Sequence, residues 1–403
     1  MWSPDPPDDG LLIALVAGEE SGDQLGAALM RALRERSGGT TRFVGVGGRQ
    51  MTAEGLASPF PIDDLAMIGF AAILQRLPLV LGRIREAAEF VVAAQPDALV
   101  IIDSPEFTHR VARRVRAAAP TISILDYVSP SVWAWRSGRA RAMRHYVDHV
   151  LALLPFEPQV HARLRGPPCT YVGHPLLERL PELRPGRAEA ERRGSEPPIL
   201  LVLPGSRGGE IQRLLATFGQ ALAILATGRT PIDVVLPTLP HLHARISAAS
   251  ADWPLRPRIV VEAKEKLAAF RAARAALAKS GTVTLELALA GVPMVTAYKV
   301  SWLEEIVGRL IIHAPSAILP NLILGENVVP EFLQRACTPQ NLADALAPLL
   351  GDSPQRRRQL DAFKKIDAIM RPDAAESETS APPSRRAADL VIALAKPPAH
   401  GAR

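Results

Sequence analysis

Lys279-Ser280-Gly281-Thr282-Val283-Thr284-Leu285-Glu286-Leu287-Ala288-Leu289-Ala290-Gly291-Val292-Pro293 reads as a strand end, a tight turn and one helix. Gly291-Val292-Pro293 then exits into a second strand, Met294 to Tyr298. Ser280, Gly281 and Thr282 are small enough for a ligand to approach the backbone. A helix starting there presents unpaired N–H groups and the positive end of its dipole, a setting that suits phosphate. Glu286, about one turn in, can accept hydrogen bonds from sugar hydroxyls. Plain N-capping by Ser280 or Thr282, with Glu286 matched to the dipole, explains the same residues. The surrounding chain has to decide.

Strand, small-residue loop and helix recur on both sides of this stretch. Leu11 to Ala17 is a continuous apolar run, as expected of a buried parallel strand. It enters Gly18-Glu19-Glu20-Ser21-Gly22-Asp23, and a helix follows from about Gln24 to Arg36. This is the first βα turn of a doubly wound fold, without the G-x-G-x-x-G fingerprint. Glu19 projects beyond that strand, as a site carboxylate or as a helix-end charge. Arg42 to Val46 is a second strand and ends at Gly47-Gly48. Asp97 to Ile102 is a third, with Asp103 at its carboxyl end. Ser104 and Pro105 supply a natural N-cap and first helical residue. Asp103 is then free to act as a general base, worth roughly 10²- to 10⁴-fold in rate, and Glu106 reads as a dipole partner. A strand from Ile122 to Leu125 precedes Tyr127-Val128-Ser129-Pro130-Ser131-Val132-Trp133-Ala134-Trp135-Arg136. There Trp133 and Trp135 wall a sugar or acyl site, or pack the loop on the sheet. Arg139, Arg141 and Arg144 form a solvated face or an anion seat. His174 has a loop-positioning role.

The segment from Leu180 to Pro198 is charged, rich in Pro and Gly and poor in apolar periodicity, so 186–198 reads as a linker. Ile199 to Leu203 starts a second βα series, and Pro204-Gly205-Ser206-Arg207 follows it. No P-loop lysine is present, and Arg207 suits a diphosphate through its guanidinium fork. Leu319-Pro320-Asn321 reads as a cleft loop, and Val329 to Gln334 as a loop leading into a helix. Asp373 to Arg386 reads as mobile, ahead of a terminal helix from about Ala388. The division predicted is 1–185, linker 186–198, 199–354, and a helical segment 355–403 that packs back on the first domain, its own or a partner's.

The 403 residues suffice for two such domains, 48% hydrophobic and 22% charged. A net charge of +6 favours anionic partners, but no nucleic-acid motif accompanies it. Cys169 and Cys337 match no metal or redox spacing. No secretory signal or bilayer-spanning run is apparent, so the expected location is cytoplasmic. Met67 to Leu81, broken by Pro78 and flanked by Arg76, Arg83 and Arg85, reads as an apolar surface with basic edges. Ile68, Phe70, Ile73, Leu74 and Leu77 are its membrane-contact candidates, with a core helix as the bland alternative.

Taken in order, these segments resemble the lipid-A-disaccharide synthase family over nearly the whole chain. The carriers are Gly18 to Asp23, Asp103 to Phe107, Tyr127 to Trp135, Pro155-Phe156-Glu157, Gly173-His174-Pro175, Pro204 to Arg207, Ser280-Gly281-Thr282 with Glu286, and Leu319-Pro320-Asn321. The resemblance implies an α/β GT-B fold, two Rossmann-like doubly wound domains facing across a cleft. It implies an inverting hexosyltransferase that joins UDP-2,3-diacylglucosamine to 2,3-diacylglucosamine 1-phosphate, giving a β-1,6 disaccharide and UDP. The family acts peripherally at the cytosolic face of the inner membrane, on anionic lipid, in building the Gram-negative outer membrane. A homodimer is compatible with it. By the same resemblance Asp103 and Glu19 match acidic residues of the acceptor side, which makes them the catalytic candidates. Arg207, Glu286 and Asn321 match residues around the UDP-sugar, where Ser280, Gly281 and Thr282 add a phosphate-binding turn. No metal cofactor is expected, since Asp-x-Asp is absent and Arg207 with a helix start can neutralise the departing diphosphate. Glu106, Thr108 and Lys279 depart from the family pattern of Asp, Asn and a smaller residue. The rival readings are a UDP-N-acetylglucosamine epimerase-like enzyme and a nucleotide-sugar or lipid-binding protein. A dehydrogenase lacks its glycine turn.

Overall fold

A computed structural model describes residues 10–65, 70–228, 231–312, 314–371 and 381–395; side chains at 70–77, 303, 307, 309 and 310 also lie outside the description. The chain divides into two compact units, Met1–Leu177 with Ala375–Arg403, and Glu178–Ala374.

The first unit holds β1 (Leu12–Ala17), β2 (Arg42–Val46), β3 (Ala98–Ile102), β4 (Ser123–Tyr127), β5 (His149–Ala152) and β6 (Cys169–Tyr171). They form one parallel sheet in the order β2-β1-β3-β4-β5-β6. β3 is buried at every position, which is why it reads as an unbroken apolar run. On one face Ala14, Leu99, Ile101 and Ile124 pack with Ile84, Val91, Val111 and Val115 from the helices Phe70–Ala94 and Pro105–Ala118. On the other, Ile13, Leu15 and Val100 pack with Leu29, Met30 and Leu33 of the helix Glu20–Arg36, and with Ala387 and Val391.

The second unit holds β7 (Ile199–Leu203), β8 (Asp233–Pro237), β9 (Arg258–Val260), β10 (Ala275–Lys279), β11 (Met294–Tyr298) and β12 (Glu331–Leu333), in the parallel order β12-β11-β10-β7-β8-β9. Its core joins Leu200, Val202, Leu277 and Val295 to Phe218 and Leu222 of the helix Gly208–Ala226, and to Leu342 and Leu346 of the helix Pro339–Leu350. The doubly wound α/β class is therefore borne out twice.

Several boundary expectations are corrected. The supposed linker contains a helix, Arg187–Gly194, within the second unit. There Arg193 donates to the carbonyls of Phe270, Arg271, Ala290 and Gly291 at 2.9–3.1 Å. One guanidinium thus satisfies the last carbonyls of two helices, Ala263–Ala272 and Val283–Leu289. A cation serving carbonyls leaves no apolar periodicity, so the segment imitates a linker. The segment 355–403 is not one body. The helix Pro354–Met370 stays with the second unit, where Gln359 exchanges two hydrogen bonds with the backbone of Met294 at 2.8 and 3.0 Å. The helix Pro383–Ala395 packs on Glu20–Arg36 in the first, and it begins five residues before the predicted Ala388. The expected helix entered at Val329 to Gln334 is instead β12 on the sheet edge. The predicted mobile stretch from Asp373 to Arg386 lies outside the described residues for 373–380, and its end from Pro383 is helical.

Ile68 lies outside the described residues, as do the side chains of Phe70, Ile73, Leu74 and Leu77. Further along the same helix Val80, Ile84 and Val91 are core residues, while Leu79 and Leu81 are exposed. Of the basic edge, Arg76 has its side chain outside the description, Arg83 bonds Asp64 and Glu86 and stacks on Phe60, and Arg85 pairs with Glu89. Among the described residues no helix is long and apolar enough to cross a membrane.

Candidate active site

In an open parallel sheet, ligands bind beyond the carboxyl ends of the strands where the strand order reverses. In the first unit that point lies between β1 and β3, paired from Ile13↔Ala98 to Ala17↔Ile102. Glu19 leaves β1 and Asp103 leaves β3, so topology brings both loops to one crevice. Gly18 permits it, because a Cβ there would stand 2.7 Å from Ser104 Cβ.

Asp103 and Ser104 are consecutive non-glycine residues in the left-handed region, with φ of 52° and 45°. Each costs about 1–3 kcal/mol and must be held by its surroundings. Asp103 N–H donates to Tyr127 O at 3.1 Å, and Ser104 O accepts from Phe107 and Thr108 N–H at 2.9 and 3.0 Å. The buried Thr108 hydroxyl donates to Asp103 O at 2.6 Å. Of the carboxylate, Oδ1 accepts the Ser104 N–H at 2.8 Å and Oδ2 accepts the Ser21 hydroxyl at 3.2 Å. The expectation that Ser104 caps the following helix is corrected: its side chain makes no cap bond, and its Oγ is buried without a partner. Asp103 is thus not free because Ser104 does the capping. It is an oriented carboxylate on a strained turn, half-buried at the strand mouth. Glu19 is the exposed N-cap residue of the helix Glu20–Arg36.

Glu106 is held by Arg139, by Arg136 at 3.1 Å and by Arg110 at 3.6 Å. Partial burial raises its pKa, but these guanidiniums outweigh it and hold the carboxyl below the usual range. The residue therefore ties the tryptophan loop to the neighbouring helix. Trp133 packs inside that loop, edge-on to Phe156 with centroids 5.5 Å apart, beside Val132, Ala140 and Val160. For Trp133 the packing alternative is the one observed. Trp135 is exposed, with the Arg136 guanidinium 4.5 Å from its ring centre. His174 accepts the Leu176 N–H at 3.2 Å, and burial pushes its pKa down to about 4, in keeping with a neutral loop-holding imidazole.

The order of the second sheet reverses between β7 and β10, which pair from Leu200↔Ala275 to Leu203↔Ala278. The turns Pro204–Arg207 and Ser280–Thr282 therefore emerge side by side. Gly205 has φ 115°, and a Cβ on it would lie 2.6 Å from Glu210 Oε2. Arg207 is the N-cap residue of the helix Gly208–Ala226, with its side chain 84% exposed. Ser280 is 6% exposed, and its Oγ is buried without a partner at the mouth of β10. Ser280 N–H donates to Ala297 O at 3.0 Å, and Thr284 and Leu285 N–H are taken by Gly281 O and Thr282 O, so the amides of Gly281 and Thr282 are the ones that precede the first helical bonds. Glu286 lies 3.9 Å from Lys266 Nζ. The expected cleft loop at Leu319-Pro320-Asn321 is instead the helix Leu319–Leu324; its Asn321 is 2% exposed, donates to Val329 O and Glu331 and accepts from Val328 and Val329 N–H, at 2.8–3.1 Å. Both ends of its amide are consumed in shaping the 328–331 loop, so it positions that loop and presents no free polar atom. Among the described residues, no group of three or more His, Cys, Asp or Glu could hold a metal ion.

The family model described as lipid-A-disaccharide synthetase matches residues 13–382. The chain belongs to that family. Lipid-A-disaccharide synthases from Nitrobacter hamburgensis and Rhodospirillum centenum are 62% and 43% identical, over 94% and 95% of this chain and 94% of theirs. As a member, the chain is a glycosyltransferase that forms the lipid A disaccharide. Its architecture is that of the GT-B glycosyltransferases. The kitacinnamycin glycotransferase gives a TM-score of 0.61 at 17% identity, covering 96% of this chain and all of that one. MurG of Acinetobacter baumannii gives 0.57 at 14%, over 95% and 99%. The Neisseria meningitidis UDP-GlcNAc 2-epimerase also gives 0.57, at 11% identity over 89% and 99%. That likeness is of fold alone, so the epimerase alternative gains nothing from it.

Residue reasoning missed three supports of this family site. Asp23, 3% exposed, accepts the N–H groups of Gly48, Gln50 and Met51 at 2.7–3.0 Å, capping the helix Arg49–Ala53 across the crevice loop. Thr108 holds the strained turn. Lys279 pairs with Glu210 at 2.9 Å. Their place in or beside the motifs was the advance signal: Thr108 serves Asp103 O five residues back, whereas the partners of Asp23 and Lys279 are remote in sequence.

Proposed function

We propose that the donor is UDP-2,3-diacylglucosamine and the acceptor 2,3-diacylglucosamine 1-phosphate, joined in one inverting displacement. The observation that carries the donor reading is the buried, unpartnered Ser280 hydroxyl beside the turn amides and the exposed Arg207. An unsatisfied buried hydroxyl costs stability unless a ligand completes it. A diphosphate does so with charge-assisted bonds.

In the displacement, the acceptor's 6-hydroxyl oxygen bonds to the anomeric carbon while the carbon–oxygen bond to the diphosphate breaks. That electron pair stays on the β-phosphate, and UDP leaves with an added negative charge. Arg207 and the Ser280–Thr282 turn stabilise it where it develops. The acceptor proton passes to Asp103, which Ser21 and the Ser104 N–H keep oriented. Glu19, on the adjoining loop, accepts a hydrogen bond from an acceptor sugar hydroxyl. Glu286 does the same for the donor sugar, and Trp135 offers its face to substrate. The acylated substrates place the chain on the inner membrane's cytosolic face, reached through the first part of the helix Phe70–Ala94.

The test is disaccharide formation by the purified chain from this donor and acceptor. Asp103→Asn should lower kcat by about 10²-fold or more while UDP affinity is kept. Donor turnover to a C2 epimer without acceptor would replace this reading by the epimerase one. Full activity of Asp103→Asn would remove the base assignment.

A further inference from the structure

Lys279 closes β10, and its side chain is 16% exposed. The ammonium lies between the two turns at the switch point. It stands 2.9 Å from Glu210 Oε1, where Glu210 belongs to the first turn of the helix that Arg207 opens. A Cβ on Gly281 would be 3.4 Å from the same Nζ, so the ammonium also borders the Ser280–Thr282 turn. Below it is the ring of Tyr298, with its centre 5.2 Å away. On the other side of the pair, Glu210 Oε2 fills the space that Gly205 leaves open, and Arg207 reaches Oε1 at 3.8 Å. A carboxylate of the protein's own chain thus occupies the one place that both turns and two cations address.

We infer that Lys279 is a diphosphate-binding residue of the donor site, with the Glu210 carboxylate standing in for the ligand anion when no donor is bound. The inference rests on the donor reading above and adds two roles to it. Glu210 holds the ammonium in place in a setting that has lost much of its water, where an unpaired cation would be costly. An arriving diphosphate competes with Glu210 for Lys279 and Arg207, and takes charge-assisted bonds from both. When the glycosidic bond forms, the added charge on UDP falls beside this ammonium. The competition weakens ground-state affinity for UDP and so eases its release.

The two members of the pair therefore have opposite effects on nucleotide affinity, which a purely structural ion pair cannot give. Titration calorimetry of the purified full chain with UDP and with UMP tests this, with thermal unfolding run alongside. Lys279→Met should weaken UDP by about ten-fold or more and leave UMP, which lacks the second phosphate, little changed. Glu210→Gln keeps the shape, removes the competing charge, and should tighten UDP several-fold. Equal weakening by both variants, or an unchanged ratio of UDP to UMP affinity in Lys279→Met, would overturn the inference and leave the donor reading standing. Should Lys279→Met not fold, Glu210→Gln decides alone, since weaker UDP binding there refutes the competition. No UDP binding by the unaltered chain would overturn the donor reading and this inference with it.

Discussion

Glu157 is 3% exposed beneath the tryptophan loop, in the Pro155-Phe156-Glu157 segment. Burial pushes its pKa up to about 8. The Leu154 N–H, donating at 2.9 Å, works the other way, and the buried Asp126 carboxylate adds to the rise. The folded chain therefore holds this proton more tightly than the unfolded one, where an ordinary carboxyl titrates near 4.5. Linkage fixes the sign: the contribution is fully present below pH 4.5 and is lost as pH rises through about 8. That interval, at about 1.4 kcal/mol per pH unit, amounts to roughly 5 kcal/mol. Glu157→Gln keeps an acceptor for Leu154 and removes the titration. The variant should match the parent near pH 4.5 and exceed it by several kcal/mol near pH 8. Urea unfolding at intervals across that range, followed by fluorescence from Trp133 and Trp135, measures it. Parallel curves for the two proteins, or a less stable Gln variant at pH 8, would refute a neutral buried Glu157.

Arg193→Met should cost about 2–4 kcal/mol, because four helix-end carbonyls lose their donor together; chemical denaturation of the second unit's transition checks it. Transfer should persist at full rate in excess EDTA, since Arg207 and the turn amides supply the charge that a cation would otherwise bring; a strict need for added divalent ion would reverse that. Ile73→Ser with Leu77→Ser should reduce sedimentation with anionic vesicles while the melting temperature holds; a large fall in melting temperature with vesicle binding kept would make this stretch core.

Local signals carried most of the fold. Continuous apolar runs mark strands buried on both faces, and glycine-bearing turns mark their mouths, so β1, β3, β7 and β10 were legible with the residues that leave them. Strand order was not legible, because pairing β1 with β3 and β7 with β10 is a long-range choice. Yet that order is what sets Glu19 beside Asp103, and Arg207 beside Ser280. Polar residues that serve the backbone were misread for one shared reason. Asn321 looks like a ligand group, and the Arg193 segment looks like a linker. Arg193 spends its bonds on carbonyls 77 to 98 residues away, and Asn321 spends its own on a loop 7 to 10 residues on, pairings that residue spacing does not announce.

The same distinction sorts the site itself. Asp23, Thr108 and Asn321 are buried with their bonds made, so their loss would act through the shape of the loops they hold. Ser280 is buried with its hydroxyl unmet, and Arg207 is exposed with only a distant carboxylate for company, an arrangement worth little in water. At this strand-order reversal a buried hydroxyl without a partner and a loosely paired guanidinium leave capacity for an anion. Lys279 and Glu210 sit between these classes, since their pair is complete yet lies where the anion must go. Lys279 adds a second cation to this mouth, and its internal carboxylate keeps that cation from holding the product too long.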